Sequence, residues 1–260
     1  MFHCCGITAC KDASYDGSLY HARVLDYGDG KELHETSVLL FVEPKDSLPF
    51  LNITYAGFIG SVTGMNAQKI SIGEIGGQGY GNWEGIPMSF LLRMILEEAS
   101  TLTEAKEILE SSPRTCEYYY VIADGKIEES FGCLASAKEL SFIPPGVNYA
   151  ITETECGLHT LTFQDTSSLF FSQPKHTVLL TGFVRPERYP ILEKRVEEAY
   201  GEISPKTLME IIKQPVARPS NLHNAIFHPA SLSVWFSHTK EGSHLACDGD
   251  YTKFTWADFS

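Results

Sequence analysis

Cys4 and Cys5 stand side by side at the head of the sequence, and Arg23-Val24-Leu25-Asp26 follows them. A cysteine placed early in a chain has a particular option. Cutting the peptide bond before it frees its own α-amino group, whose ordinary pKa near 8 leaves a useful fraction neutral. That amine can take the proton from the thiol of the same residue. Nucleophile and base then arrive on one amino acid, and no catalytic histidine is required. Without further context, cysteine serves as a small buried hydrophobe, so the surrounding pattern decides.

That pattern is a hairpin. Residues 6–11 read as a strand, Ala13-Ser14-Tyr15-Asp16-Gly17 as a turn whose Asp-Gly pair accepts positive φ, and residues 18–25 as the returning strand. Such a hairpin lays residues 23–26 beside residue 5. Arg23 then sets a guanidinium near the thiol, where it favours thiolate, and Asp26 is placed to accept a hydrogen bond from the freed ammonium. As an isolated surface pair the two would be worth under about 1 kcal/mol.

The stretch Cys5-Gly6-Ile7-Thr8-Ala9-Cys10, continued by Asp16-Gly17-Ser18-Leu19-Tyr20-His21-Ala22-Arg23-Val24-Leu25-Asp26, resembles the amino-terminal hairpin of the cysteine-type N-terminal-nucleophile (Ntn) hydrolases. These include choloylglycine hydrolases, acid ceramidase-like amidases and penicillin acyltransferases. Tyr55-Ala56-Gly57, Thr63-Gly64-Met65-Asn66, Gly85-Ile86-Pro87, Phe90-Leu91-Leu92-Arg93, Ser112-Pro113-Arg114-Thr115 and the run from Ser220 to Phe227 are similar to the acyl-CoA:6-aminopenicillanic acid acyltransferase branch. Two positions depart from the family pattern. Gly6 follows the cysteine where Thr or Ser is usual, and Val24 stands where Asn is more frequent.

The resemblance implies a linear amide bond as target, a thioester acyl-enzyme, and hydrolysis or acyl transfer as the outcome. It implies no metal and no organic cofactor, and a small-molecule amide or acyl donor as partner. Arg23 follows Cys5 by 18 positions and Cys4 by 19. The excess over the family spacing is even for Cys5 and odd for Cys4. Strand side chains alternate faces with a period of two, so parity selects Cys5 as nucleophile. Residues 1–4 then form a short propeptide and residues 5–260 a single catalytic domain. An Asn side chain often helps to hold the oxyanion in this superfamily. Asn66 is the first candidate here and Asn148 the second. Two other readings stay open: a non-catalytic relic that binds a ligand, and a Cys-His peptidase using His223.

Composition fits a folded domain. The 260 residues carry 43% hydrophobic and 20% charged residues, near globular averages. The net charge of −13 argues against nucleic acid, which needs clustered Lys and Arg. No apolar run is long enough to span a bilayer, and the chain shows no secretory leader. The seven cysteines are odd in number and irregularly spaced, a poor disulfide framework. These features suggest a cytoplasmic protein, with the oligomeric state left open.

The remaining elements must position the hairpin. Strands are predicted at 37–42, 50–55, 58–62 and 69–74, with Thr63-Gly64-Met65-Asn66 as a connection. The Gly-rich loop 76–85 reads as a substrate rim carrying Tyr80 and Trp83. Pro87 opens a helix whose apolar face is Phe90, Leu91, Met94, Ile95 and Ala99. Thr101-Leu102-Thr103-Glu104 caps a second. Strands return at 117–122 and 126–131, helices at 189–200 and 204–213, and strands at 224–227, 231–237 and 244–247. This order fits an α+β fold, a four-layer αββα sandwich of two antiparallel sheets between helical layers, the Ntn hydrolase fold that the resemblance also implies.

Overall fold

The computed structural model describes residues 4–28, 33–78, 83–153, 159–164, 169–182, 186–240 and 245–259. In chain order the strands are β1 (Cys5–Lys11), β2 (Gly17–Asp26), β3 (Ser37–Val42), β4 (Phe50–Tyr55), β5 (Thr63–Asn66), β6 (Ile70–Gly76), β7 (Tyr118–Asp124) and β8 (Glu129–Ala135). They continue with β9 (Leu140–Ile143), β10 (Tyr149–Glu153), β11 (His159–Thr162), β12 (Phe170–Phe171), β13 (Thr177–Thr181), β14 (Asn221–His228), β15 (Ser233–His238) and β16 (Thr252–Thr255). The helices are α1 (Met88–Glu98), α2 (Leu102–Ser111), α3 (Tyr189–Glu198) and α4 (Pro205–Ile211).

Two large antiparallel sheets stack face to face. One runs in the order β13-β1-β2-β14-β15-β16, the other in simple sequence from β3 to β9. A small third sheet, β11-β10-β12, lies outside the expected scheme. On the outer face of the second sheet, Leu91, Leu92, Ile95 and Leu96 of α1 and Leu109 of α2 are buried against Ile70, Ile72, Tyr120 and Ile122. On the outer face of the first, Leu192 and Val196 of α3 and Leu208 and Ile211 of α4 join Ile7 in one core. Amphipathic helices covering the two outer sheet faces make the four-layer α+β sandwich, since each sheet then has both faces buried.

The sequence is mistaken in three local places. Residues 58–62 form a loop rather than a strand, and the connection at 63–66 is itself β5. Gly57 turns the chain there at φ +88°, and Gly64 lets β5 approach β4, because a Cβ on it would fall 2.7 Å from the Leu51 carbonyl. The buried stripe of α1 is Leu91, Leu92, Ile95 and Leu96, one step round from the predicted face. Phe90 is thereby left 40% exposed. At the C-terminal end, 246–248 is a short 3-10 turn, and the last strand is β16. The capping box of α2 forms as read, with Thr101 and Glu104 reciprocally bonded. No described helix is long and apolar enough to cross a membrane.

Candidate functional site

The site is built on the β1–β2 hairpin, and its geometry turns on one irregularity. Lys11 pairs with Gly17, but from Ala9 onward the register has slipped by one: Ala9 faces Tyr20, Gly6 faces Arg23, and Cys5 faces Val24. Without the slip, Cys5 would lie opposite Arg23. A β-bulge inserts one unpaired residue and moves every later side chain to the other face. The parity expectation for Cys5 is therefore corrected. Gly6 and Thr8 face the second sheet: a Cβ on Gly6 would fall 2.6 Å from Val121 Cγ2, and Thr8 Oγ1 bonds Ser130 Oγ at 2.7 Å. Cys4, two residues before Gly6, shares that face. Cys5 shares the opposite face with Ile7, toward α3 and α4.

On the face between the sheets, the Cys4 thiol stands beside the Arg23 guanidinium, and the Asp26 backbone N–H donates to its sulfur. Arg23 is completely buried. Its Nη2 donates to Glu74 Oε2 at 3.0 Å, while Nε and Nη1 have no nitrogen or oxygen partner among the described residues and face only the Cys4 sulfur. Gly73 makes room for it, since a Cβ there would sit 2.6 Å from Arg23 Cγ. Burial pushes the Cys4 thiol up to about 11, with Arg23 pulling against that shift. Burial also pushes the Glu74 carboxyl up, with Arg23 opposing.

Asp26 lies at the end of β2 in a different setting. Arg188 Nη1 donates to its Oδ2 at 2.6 Å, while the Arg218 N–H at 3.1 Å and Asn221 Nδ2 at 3.2 Å donate to Oδ1. Burial raises its carboxyl and Arg188 opposes. Arg188 also donates to the Val216 carbonyl at 3.0 Å and to the Cys4 carbonyl. This arginine thus ties Asp26, the start of β1 and the loop after α4 together. Near Cys5, on the same side, burial pushes the thiol up to about 12, with Arg188 the leading opposing charge.

The other candidates separate from this cluster. Asn66 is fully occupied: Nδ2 donates to the Leu96 and Ala99 carbonyls, and Oδ1 accepts from the Gln68 and Ile70 N–H groups. It joins the end of α1 to the β5–β6 turn on the helical side of the second sheet, and both amide hydrogens are used there. The structure thus gives the Asn66 amide a fold-bracing role on the helical side of the sheet, away from the face that carries Cys4 and Arg23. Asn148 is exposed and its Oδ1 accepts from the Gln173 N–H at 2.8 Å; it anchors a loop. His223 is buried, with Nδ1 at 2.9 Å from Tyr55 Oη and Nε2 at 3.0 Å from Thr63 Oγ1. Burial holds its pKa well below the ordinary value, with Arg23 adding to the shift. A histidine with both nitrogens so engaged has no free base for a thiol, which removes the support for a Cys-His pair. Tyr80 lies outside the described residues. Trp83 is 67% exposed and lines the mouth of a cavity of about 650 Å³. Leu25, Leu33, Val62, Met88 and Leu222 give this cavity apolar walls, and Glu74 opens onto it.

Sequence reasoning misses Glu74 and Arg188. Glu74 had a usable signal, a lone acid in the apolar run Ile70-Ser71-Ile72-Gly73-Glu74-Ile75. Arg188 had none, being one arginine ahead of a helix. The departures at Gly6 and Val24 have packing reasons. Gly6 meets Val121 and Ile75 of the facing sheet, and Val24 is buried between Cys5 and Asn224 of the neighbouring strands.

Residues 19–137 match the family described as acyl-coenzyme A:6-aminopenicillanic acid acyl-transferase. The chain is 22% identical over 236 residues to protein dcd1B of Dictyostelium discoideum, covering 86% of this chain and 43% of that protein. It is 28% identical over 116 residues to the N-acylethanolamine-hydrolyzing acid amidase of Mus musculus, covering 41% of this chain and 32% of the amidase. The chain therefore spans less than half the length of these curated relatives. Among solved structures, a Caenorhabditis elegans N-acylethanolamine-hydrolyzing acid amidase ortholog superposes with TM-score 0.62 at 15% identity, covering 96% of this chain and 99% of that one. A conjugated bile acid hydrolase variant from Clostridium perfringens gives 0.56 at 11%, covering 96% and 97%. The likeness to both structures is one of fold, and the fold is that of the Ntn hydrolases.

Proposed function

From a chain with the Ntn hydrolase fold, related in sequence to amidases and acyltransferases, we propose an enzyme that cleaves linear amide bonds through the thiol of Cys4. The observation that carries this reading is the position of that thiol. It stands beside Arg23, on the face between the sheets, and Glu74 links Arg23 to the apolar cavity.

A buried thiol with a pKa of about 11 is thiolate in only about one molecule in ten thousand at neutral pH. It needs a base of its own. Cleavage between residues 3 and 4 supplies one, because the freed α-amine of Cys4 takes the thiol proton. The sulfur then attacks the amide carbonyl, and a tetrahedral oxyanion forms. The oxyanion collapses as the amine leaves with the proton held on the α-amine. The resulting thioester is resolved by water, giving an acid, or by a second amine, giving a new amide. Arg23 favours the thiolate by its charge. Arg188 holds the Cys4 carbonyl and Asp26, so the strand carrying the nucleophile keeps its register. The acyl chain occupies the apolar cavity. Relative to the expectation from spacing, the cut moves one residue toward the N-terminus.

Intact mass tests this reading on the wild type, Cys4→Ala and Cys5→Ala. Wild type and Cys5→Ala are expected to lose residues 1–3 and to turn over N-acyl amides, and Cys4→Ala to do neither. Cleavage in Cys4→Ala together with its loss in Cys5→Ala would return the role to Cys5.

A further inference from the structure

Glu74 is the only charged side chain among the described residues that line the cavity. It is buried, and its two oxygens are treated differently. Oε2 accepts from Arg23 at 3.0 Å, while Oε1 has no partner among the described residues. Two other buried carboxylates, Asp26 and Glu117, differ in this respect. Both oxygens of Asp26 are bonded, as are both oxygens of Glu117. A carboxylate oxygen withdrawn from water without a hydrogen bond is costly, more so than a neutral acceptor. Glu74 helps to form the wall of a cavity of about 650 Å³, and Oε1 is sealed just beneath that wall, so a ligand reaches it by turning the side chain.

The charge on Glu74 is already balanced by Arg23. A cationic donor would add a second positive charge to an apolar enclosure and leave the cluster net positive. A neutral O–H or N–H satisfies Oε1 without that cost. Its place along the substrate is also constrained. The Arg23 guanidinium interacts with both Glu74 and the Cys4 thiol, so a donor at Glu74 lies one side chain away from the scissile carbonyl.

Resting on the reading of Cys4 as nucleophile, we propose that Glu74 is a specificity-determining residue: its Oε1 selects amides whose acyl half carries a neutral hydrogen-bond donor next to the scissile carbonyl. The 2-hydroxyacyl amides are the simplest members of that class. A site built around a hydrogen bond discriminates strongly against an analogue that lacks it, because the protein group is left unpaired.

The test compares the N-butyl amides of decanoic, 2-hydroxydecanoic and 2-methoxydecanoic acid. The methoxy compound keeps the oxygen and removes the donor. With wild type, kcat/KM is expected to be at least tenfold higher for the hydroxy amide than for either of the others. The same order of affinity is expected by calorimetry with Cys4→Ala, where no turnover occurs. In Glu74→Gln the side-chain oxygen turns to Arg23 and the NH2 to the cavity. That variant is expected to lose the hydroxy preference and to favour the methoxy amide. Equal values for all three amides with wild type, or a methoxy amide as good as the hydroxy one, overturn the role of Glu74 alone. Absence of both turnover and binding for all three overturns the amidase reading with it.

Discussion

Two fully buried arginines flank the same cysteine, and they are treated in opposite ways. Arg188 has acceptors on both terminal nitrogens: its guanidinium serves the Asp26 carboxylate and the Val216 and Cys4 carbonyls. Arg23 has one carboxylate, Glu74, and two nitrogens with no nitrogen or oxygen partner among the described residues. Buried donors are ordinarily satisfied in a folded chain. An arginine so placed ties one carboxylate to two backbone carbonyls and serves as a clamp. An undersatisfied one, next to a thiol and paired with a cavity-lining carboxylate, keeps its capacity for charge that appears during a reaction. The contrast separates scaffold from chemistry more clearly than burial does, because both side chains are equally hidden.

Substitution of each arginine breaks the comparison in a different observable. Arg188→Ala strands a buried Asp26 carboxylate and is expected to cost about 3–5 kcal/mol in urea unfolding. Asp26→Asn in the same background should recover part of that loss, since the stranded charge is gone. Arg23→Lys keeps the positive charge but loses the planar fork. It is expected to lower amide turnover by at least a hundredfold while changing unfolding by less than about 2 kcal/mol. Equal losses of stability in both variants would erase the distinction between scaffold and chemistry.

His223 sharpens the comparison from a third side. It lies between the sheets near Arg23, and both its nitrogens are hydrogen-bonded, to Tyr55 and Thr63. Two hydrogen bonds of modest net worth and a buried ring are at stake. His223→Ala is expected to destabilise the chain by about 2–3 kcal/mol and to leave loss of residues 1–3 intact. Amide turnover in the folded fraction should stay within a few-fold of wild type. Abolished turnover with intact cleavage would restore the Cys-His reading.

The hairpin was legible because Asp16-Gly17 and the alternation of β2 are local signals. The sandwich was legible because strand and helix patterns follow each other in pairs. What escaped was non-local or depended on one residue of slippage. The β-bulge near Lys11, a residue at φ +53°, decides whether Cys4 or Cys5 faces Arg23. No count along the sequence contains it. Asn66 looked like an oxyanion donor because its motif did, yet its four hydrogen bonds are set by α1 and the β5–β6 turn. β13 went unread although Thr177-Val178-Leu179-Leu180-Thr181 is an apolar run bounded by Pro174 and Gly182. It is the strand that flanks β1 opposite β2.

Glu117 gives the smallest effect and the cleanest sign. Like Asp26 it is buried with both oxygens engaged, here by His159 Nδ1 at 2.8 Å, the His159 N–H at 2.7 Å, the Gln78 N–H at 3.2 Å and the Tyr119 hydroxyl. Burial pushes its carboxyl up, but the hydrogen bonds from His159 and Tyr119 outweigh burial and leave it below the ordinary value of 4.5. A carboxyl depressed by folding stabilises the native state above its unfolded pKa, and the contribution fades as pH falls through the folded one. Glu117→Gln is therefore expected to be less stable than wild type by about 1–2 kcal/mol at pH 7. The gap should narrow as the pH is lowered from about 4.5 toward 3. A gap constant across that range would mean that the loss is one of shape and not of charge. Turnover at pH 7 should change little, because a carboxylate with both oxygens engaged holds strands and loops in place, as Arg188 does, and stands apart from the Cys4 thiol and Arg23.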